Sequence, residues 1–142
     1  MSLKNVNFAA QTKCMAFSER QVKCAWSHAT TVEGFDPDHF RKDACGAWIF
    51  WDKYGNTDSM YGWVVDHVVP ASLLKEKGCT QEEIDNPANL RALQHENNTS
   101  KGDDYPSYTA SVTSEEAQNV NTSKYLVVHA KKQETLKKLY NL

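Results

Sequence analysis

The 142-residue chain lacks any C-x-x-C pair: Cys14, Cys24, Cys45 and Cys79 are scattered. That pattern excludes a zinc ribbon and a thioredoxin-like redox motif, and mostly buried thiols are expected. No stretch approaches the roughly 18 consecutive apolar residues a membrane span needs, so no membrane partner is expected. The opening MSLKNVNFAAQTKC holds no apolar run of secretory-signal length, and a cytoplasmic location is the expectation. A large excess of basic charge is missing too. The formal net charge of −2 excludes a protein that holds nucleic acid by bulk electrostatics alone. Internal repeats and low-complexity segments are absent.

The chain has the length of one ordinary domain with a single core, and at 40% hydrophobic and 24% charged residues its composition is that of a globular protein. Basic residues gather near the C-terminus, where Lys124, Lys131, Lys132, Lys137 and Lys138 face a single Glu134 in residues 123 to 142. This end is either a phosphate-contacting face or a solvated helix surface.

Residues 1 to 30 show no clean period, with a helix somewhere among them. Thr30 to Lys42, with Gly34 and Pro37, reads as a loop. Ala47 to Trp51 and Gly62 to Pro70 are apolar, aromatic and β-branched runs separated by a turn-rich segment, and both read as strands. A connection follows from Pro70 to Leu90. Within it, Thr80 to Glu83 has the form of a capping box and predicts a short helical turn, ended by Asn86-Pro87. Leu90 to Gln94 is then a strand and His95 to Asp103 a short helix stopping near Gly102. Tyr125 to Val128 predicts a further strand, and the chain closes on an amphipathic helix with Leu136, Leu139 and Tyr140 on one face.

Asp66 and His67 lie between Val64-Val65 and Val68-Val69, in the most apolar stretch of the chain. Buried ionisable groups are costly unless paired, hydrogen-bonded or bound to metal, so the pair asks for a reason. A lone Asp-His dipeptide is ordinarily a strand-end feature satisfying backbone groups. The continuation changes that reading: Asn89-Leu90 follows, and then Asn97-Asn98-Thr99-Ser100-Lys101-Gly102-Asp103, with Asn98 nine residues beyond Asn89.

This pattern resembles the HNH (ββα-metal) endonucleases of compact bacterial and phage type, in which Asp-His on a first strand precedes an Asn in the connection and an Asn or His on a helix. Arg41 to Ile49 and Tyr61-Gly62-Trp63 resemble what precedes the motif in such proteins, so the likeness spans about residues 32 to 106. It implies an α+β fold built on an antiparallel hairpin plus a short helix, with flanking helices and strands. Residues 1–31 would form an N-terminal extension, 32–106 the nuclease core and 107–142 a C-terminal strand and helix packed on the same domain.

The implied activity is metal-dependent hydrolysis of DNA phosphodiesters, leaving a 3′-hydroxyl and a 5′-phosphate. Asp66 and Asn98 would hold one divalent metal, Mg²⁺ first, with Mn²⁺, Ni²⁺ or Zn²⁺ as alternatives; carboxylate and amide oxygens are the hard ligands Mg²⁺ takes. His67 would be the general base, a role suited to an imidazole titrating near neutrality. Asn89 would brace the loop and help orient it. His95 stays open between metal ligand and supporting or substrate-contacting group. Lys101, Arg91, Arg41 and Lys42 are the expected phosphate contacts.

The likeness departs from many members in lacking paired C-x-x-C zinc ligands, and Asn98 stands where some have His. A geometric condition also attaches, because neighbours in a strand point to opposite faces: Asp66 and His67 reach one phosphate only if the strand ends, twists or bulges there. Double-stranded DNA is the expected partner, with a homodimer compatible but not required. Two other readings stay open: a nucleic-acid-binding module that has lost turnover, and a toxin-type nuclease domain with an inhibitor protein.

Overall fold

The computed structural model describes residues 17–142. Among them it is a mixed α/β structure of five α-helices and eight strands, with the strands paired into four small antiparallel sheets. Cys14 and the first part of the N-terminal segment lie outside the described residues. No helix among those described is long and apolar enough to cross a membrane.

Helix α1 (Glu19–Ser27) starts on a capping box in which the Ser18 hydroxyl accepts from the Gln21 amide and the Gln21 side chain accepts from the Ser18 amide. Val22, Ala25 and Trp26 recur at helical spacing and are its buried face. Strands β1 (Phe40–Lys42) and β2 (Trp48–Phe50) pair as a hairpin. The loop expected over Thr30 to Lys42 thus ends in a strand, because Thr30 and Arg41 to Lys42 find backbone partners that no local pattern announces. A 3₁₀ turn over Trp51–Lys53 truncates the run expected to continue through Trp51.

Strand β3 (Trp63–His67) enters past Gly62. A Cβ there would sit 1.7 Å from the Asn56 carbonyl oxygen, so only glycine fits. After Pro70 come α2 (Ala71–Glu76), a helix where the sequence predicts only a connection, and α3 (Gln81–Ile84), capped by Thr80 and Glu83 as their spacing predicts. Strand β4 (Leu90–Gln94) pairs antiparallel with β3 from Trp63↔Gln94 to His67↔Leu90, and α4 (His95–Lys101) follows at once, with the Gln94 side chain as its cap. The remainder is β5 (Ser107–Thr109), β6 (Val112–Glu115), β7 (Gln118–Asn121), β8 (Tyr125–Val127) and α5 (Ala130–Tyr140), with β5 paired to β8 and β6 to β7.

The β3–β4 ribbon has two faces of period two. Trp63, Val65, Leu90 and Ala92 join Val22, Ala25 and Trp26 of α1 in one apolar cluster. On the other face Leu93 joins Val68, Leu74, Ile84, Tyr108, Leu136 and others. The segments expected as N- and C-terminal extensions thus supply both sides of the core around the ribbon. Of the described cysteines only Cys45 is buried, its thiol pushed up to about 12 by burial and by Asp43, whereas Cys24 and Cys79 are half-buried, fewer buried thiols than expected. On α5, Leu136 and Tyr140 are buried but Leu139 is 40% exposed.

A polar knot locks this arrangement. Asp43 is 3% exposed; its Oδ1 accepts from the Cys45 and Ala47 amides and its Oδ2 from the Gln94 amide and Asn97 Nδ2. Asn97, fully buried, also donates to the Val112 carbonyl and accepts from the Ser111 and Val112 amides. One carboxylate and one amide thereby join the β1–β2 turn, β4, α4 and β6.

In Asp43→Asn an NH₂ group would face donors that a carboxylate now satisfies, and each buried donor left unpaired costs about 1–3 kcal/mol. Urea denaturation should show a loss of about 2–4 kcal/mol; a loss below roughly 0.5 kcal/mol would refute the knot's structural role. A second expectation concerns alkali. Burial pushes the phenols of Tyr54 and Tyr140 up to about 12. The unfolded chain, with tyrosines near 10, therefore loses these protons first, and stability falls as pH rises from about 10 toward 12. Thermal melts across that range should show the decline, shallower in Tyr140→Phe.

Candidate active site

Asp66 is 5% exposed and sits opposite Arg91 in the β3–β4 ladder. Arg91 Nε donates to its Oδ2 at 3.0 Å, and Lys101 Nζ from α4 lies 3.4 Å from its Oδ1. Lys101 also donates to the His67 carbonyl at 3.1 Å and is only 1% exposed. Burial lowers the Lys101 pKa below the usual lysine range, and the Asp66 charge pulls it back. The carboxylate's chief partners are thus the buried Lys101 and the part-buried Arg91, which fix its rotamer while leaving lone pairs on both oxygens.

His67 leaves the same strand on the opposite face. Its Nε2 lies 2.7 Å from Asp85 Oδ1, and its ring is 5.5 Å from that of Phe17. A carboxylate only accepts, so Nε2 carries the hydrogen and, in the neutral ring, Nδ1 keeps the lone pair. No hydrogen bond to Nδ1 comes from the described residues. Asp85 ends α3, with Gln81 Nε2 donating to the same oxygen at 3.1 Å.

Asn89 is fully buried and takes over the pairing where β3 ends: its side chain accepts from the Val69 amide and donates to the Val69 and Ile84 carbonyls. It braces the chain just beyond His67, while the ring itself is held by Asp85. Asn98, on α4, makes no side-chain hydrogen bond among the described residues. Its neighbour Asn97 is spent in the polar knot.

These groups meet at a cleft of about 330 Å³ lined by Asp66, His67, Asn98 and Asp103, with Pro70 and Ser72 on its wall. Asp103 is exposed, and the lining carries two carboxylates but no lysine or arginine. Among the described residues no cluster of three or more His, Cys, Asp or Glu side chains is placed to hold a metal. The available donors are the Asp66 carboxylate and the Asn98 amide, with Asp103 at the mouth. Hard oxygens of this kind fit Mg²⁺, which keeps several waters and needs few protein ligands.

The expected break between Asp66 and His67 is not found. The ladder is regular through Asp66↔Arg91 and His67↔Leu90, and Val68 N still donates to the Asn89 carbonyl at 2.9 Å. Both residues nevertheless line one cleft, because it opens off the strand's end. The expected phosphate contacts are also placed differently. Lys101 is inside, on Asp66, and Arg91 is spent on Asp66 and on the face of Tyr108, 5.3 Å from the ring centre. Arg41 donates to the carbonyls of Pro37, Trp26 and Ser27, and Lys42 lies over the Trp48 ring, both away from the cleft. His95 donates from Nε2 to the Ser59 carbonyl at 2.8 Å and does not line the cleft either.

Sequence reading missed Asp85. One signal was available, since an acidic side chain at a helix C-terminus opposes the dipole and asks for another partner. Comparison with protein-family models, with curated proteins and with solved structures gives no match in any of the three.

Asp66→Ala would leave Arg91 and Lys101 buried without their counter-ion, a change that typically costs about 3–5 kcal/mol. Lys101→Met keeps the Arg91 pair and should cost less. Chemical denaturation of both variants checks the ranking; Asp66→Ala folding as stably as wild type would remove the ion cluster's structural role.

Proposed function

We propose that the chain is a metal-dependent endonuclease of the HNH type that hydrolyses DNA phosphodiester bonds. The observation that carries the reading is that one cleft brings the adjacent Asp66 and His67 together with Asn98 from a later helix, with the Asn98 amide and the His67 Nδ1 both left without protein partners among the described residues.

Phosphodiester hydrolysis needs an activated water, positive charge at the departing oxygen and a fixed phosphate. His67 takes the proton of the attacking water at Nδ1, and Asp85 holds the ring through Nε2 and stabilises the imidazolium that results. Asp66, clamped by Arg91 and Lys101, and Asn98 would hold a divalent cation, Mg²⁺ by donor chemistry. When bound, that ion supplies the Lewis acidity for the leaving oxygen and the positive charge this carboxylate-lined cleft otherwise lacks. Asn89 keeps the chain beyond His67 in place. Since Asp66 and His67 leave the strand on opposite faces, the scissile phosphate would lie across the strand's end.

A second reading, a nucleic-acid-binding module without turnover, draws on a specific observation as well: two cations already occupy Asp66, which gives that carboxylate a structural reason to exist.

Plasmid cleavage with purified protein in EDTA, Mg²⁺, Mn²⁺, Ni²⁺ and Zn²⁺ separates the two. Nicking or linearisation that requires metal, and that falls by about 10²-fold or more in His67→Ala, is the expected result. Asn98→Ala should raise the metal concentration needed. Asp66→Asn is the better probe at that position, since it keeps the side chain's shape between Arg91 and Lys101. A folded protein that cuts no plasmid, single-stranded DNA or RNA in any metal, yet retards DNA in a gel, would establish the binding module instead.

A further inference from the structure

A second pocket, lined by basic side chains, lies apart from the cleft. With a volume of about 550 Å³, it opens between the end of α1, β4, β8 and the start of α5. The titratable side chains that line it are His28, Arg91, His129, Lys132 and Tyr108, with no carboxylate among the described lining residues. In a chain of net charge −2 such a local excess is not the average surface. The walls are apolar, with Leu90, Leu126 and Val128 among them.

Lys132 has no ion-pair partner among the described residues, whereas Arg91 is paired with Asp66 through one edge of its guanidinium. Lys132 is half-buried, and burial together with the nearby Arg91 charge lowers its pKa below the usual lysine range. Arg91 spends Nε on Asp66, but its Nη2 is buried without an acceptor in hydrogen-bonding geometry among the described residues. His28 donates from Nδ1 to the Leu90 carbonyl at 2.7 Å, so in the neutral ring its Nε2 keeps a lone pair, whereas the His129 ring accepts from the Lys131 amide at Nδ1 and carries its hydrogen on Nε2. The Lys132 ammonium, the uncommitted Arg91 Nη2 and the His129 ring together offer donors that suit an anion with several acceptor oxygens better than a carboxylate with two. A phosphate monoester carries about −1.5 to −2 charges at pH 7 and three acceptor oxygens. Apolar walls and aromatic rings suit a flat body attached to that phosphate, and the volume falls in the range of small-ligand sites.

We infer that this pocket binds a phosphate monoester carried on a flat, largely apolar body, the chemistry of a nucleoside monophosphate, either free or as the 5′-phosphorylated end of a nucleic-acid strand. Arg91 then belongs to two sites: its Nε orients Asp66 in the cleft, and its residue lines this pocket. The inference does not rest on the nuclease reading, because binding requires no turnover.

The test is titration of the whole chain with dAMP, deoxyadenosine and inorganic phosphate, followed by amide NMR shifts and calorimetry, in wild type, Lys132→Glu and His129→Ala, with melting curves to verify folding. Lys132 and His129 lie at the surface end of α5, so both variants should fold. Binding of dAMP with Kd of about 1 mM or tighter is expected, with shifts at His28, Leu126 and Lys132, and a loss of roughly tenfold or more in Lys132→Glu. Deoxyadenosine and inorganic phosphate should each bind at least about tenfold more weakly than dAMP, since each lacks half of the recognised chemistry. Two short oligonucleotides, with and without a 5′-phosphate, distinguish the sources: preference for the phosphorylated strand over dAMP identifies a strand end, and binding of dAMP alone identifies a free nucleotide. No shift with about 5 mM dAMP, deoxyadenosine binding as well as dAMP, or equal binding by folded Lys132→Glu would overturn the assignment.

Discussion

Three charges, on Asp66, Arg91 and Lys101, are drawn into the space between the β3–β4 ribbon and α4, and no one of them would tolerate that environment alone. Removing a charge from water costs several kcal/mol, recovered only by close opposite charge and hydrogen bonds. The pairing therefore ties β3 to β4 across the ladder and β3 to α4 along its end, with the His67 carbonyl accepting the remaining Lys101 hydrogen bond. It also holds a carboxylate at the wall of the cleft in one orientation. Every functional inference drawn for the cleft depends on that fixed carboxylate, and Arg91 carries its influence into the second pocket.

The polar knot does comparable work at the other end of the ribbon. Asp43 and Asn97 satisfy one another and six backbone groups, so α4 is pinned at its start by the knot and at its last residue by Lys101. Between these anchors the helix presents Asn98 to the cleft. Adjacent asparagines thus have opposite fates: one is consumed by structure and the other is left with an uncommitted amide. A helix of this length would be marginal by itself, and its rigidity comes from the two anchors rather than from propensity.

His67 and Asp85 form the third fixed element. The carboxylate decides the tautomer of the ring, since only Nε2–H can face it, and the lone pair is then carried by Nδ1. Together with the regular ladder through Asp66 and His67, this means that the two residues approach the cleft from opposite faces of a strand end. A centre built in this way gains its definition from the elements that stop there, namely Asn89, α3 and α4.

Local pattern determined much by itself. The β2, β3, β4 and β8 runs, the Thr80 capping box, the short helix stopping at Gly102 and the closing amphipathic helix are all legible, because hydrophobic periodicity and caps are properties of neighbouring residues. The spacing of Asp66, His67, Asn89 and Asn98 is legible for the same reason. Strands β1, β5, β6 and β7 were not, being three or four residues long and in part polar, so that neither alternation nor an apolar run marks them. Nor could the sequence say that Lys101 points inward to a carboxylate, that Asp85 rather than Asn89 holds the histidine, or that Arg91 is shared between two sites. Those outcomes follow from which charges are buried together, and burial is decided only when the two faces of the ribbon are covered by α1 on one side and by α4 and the C-terminal elements on the other.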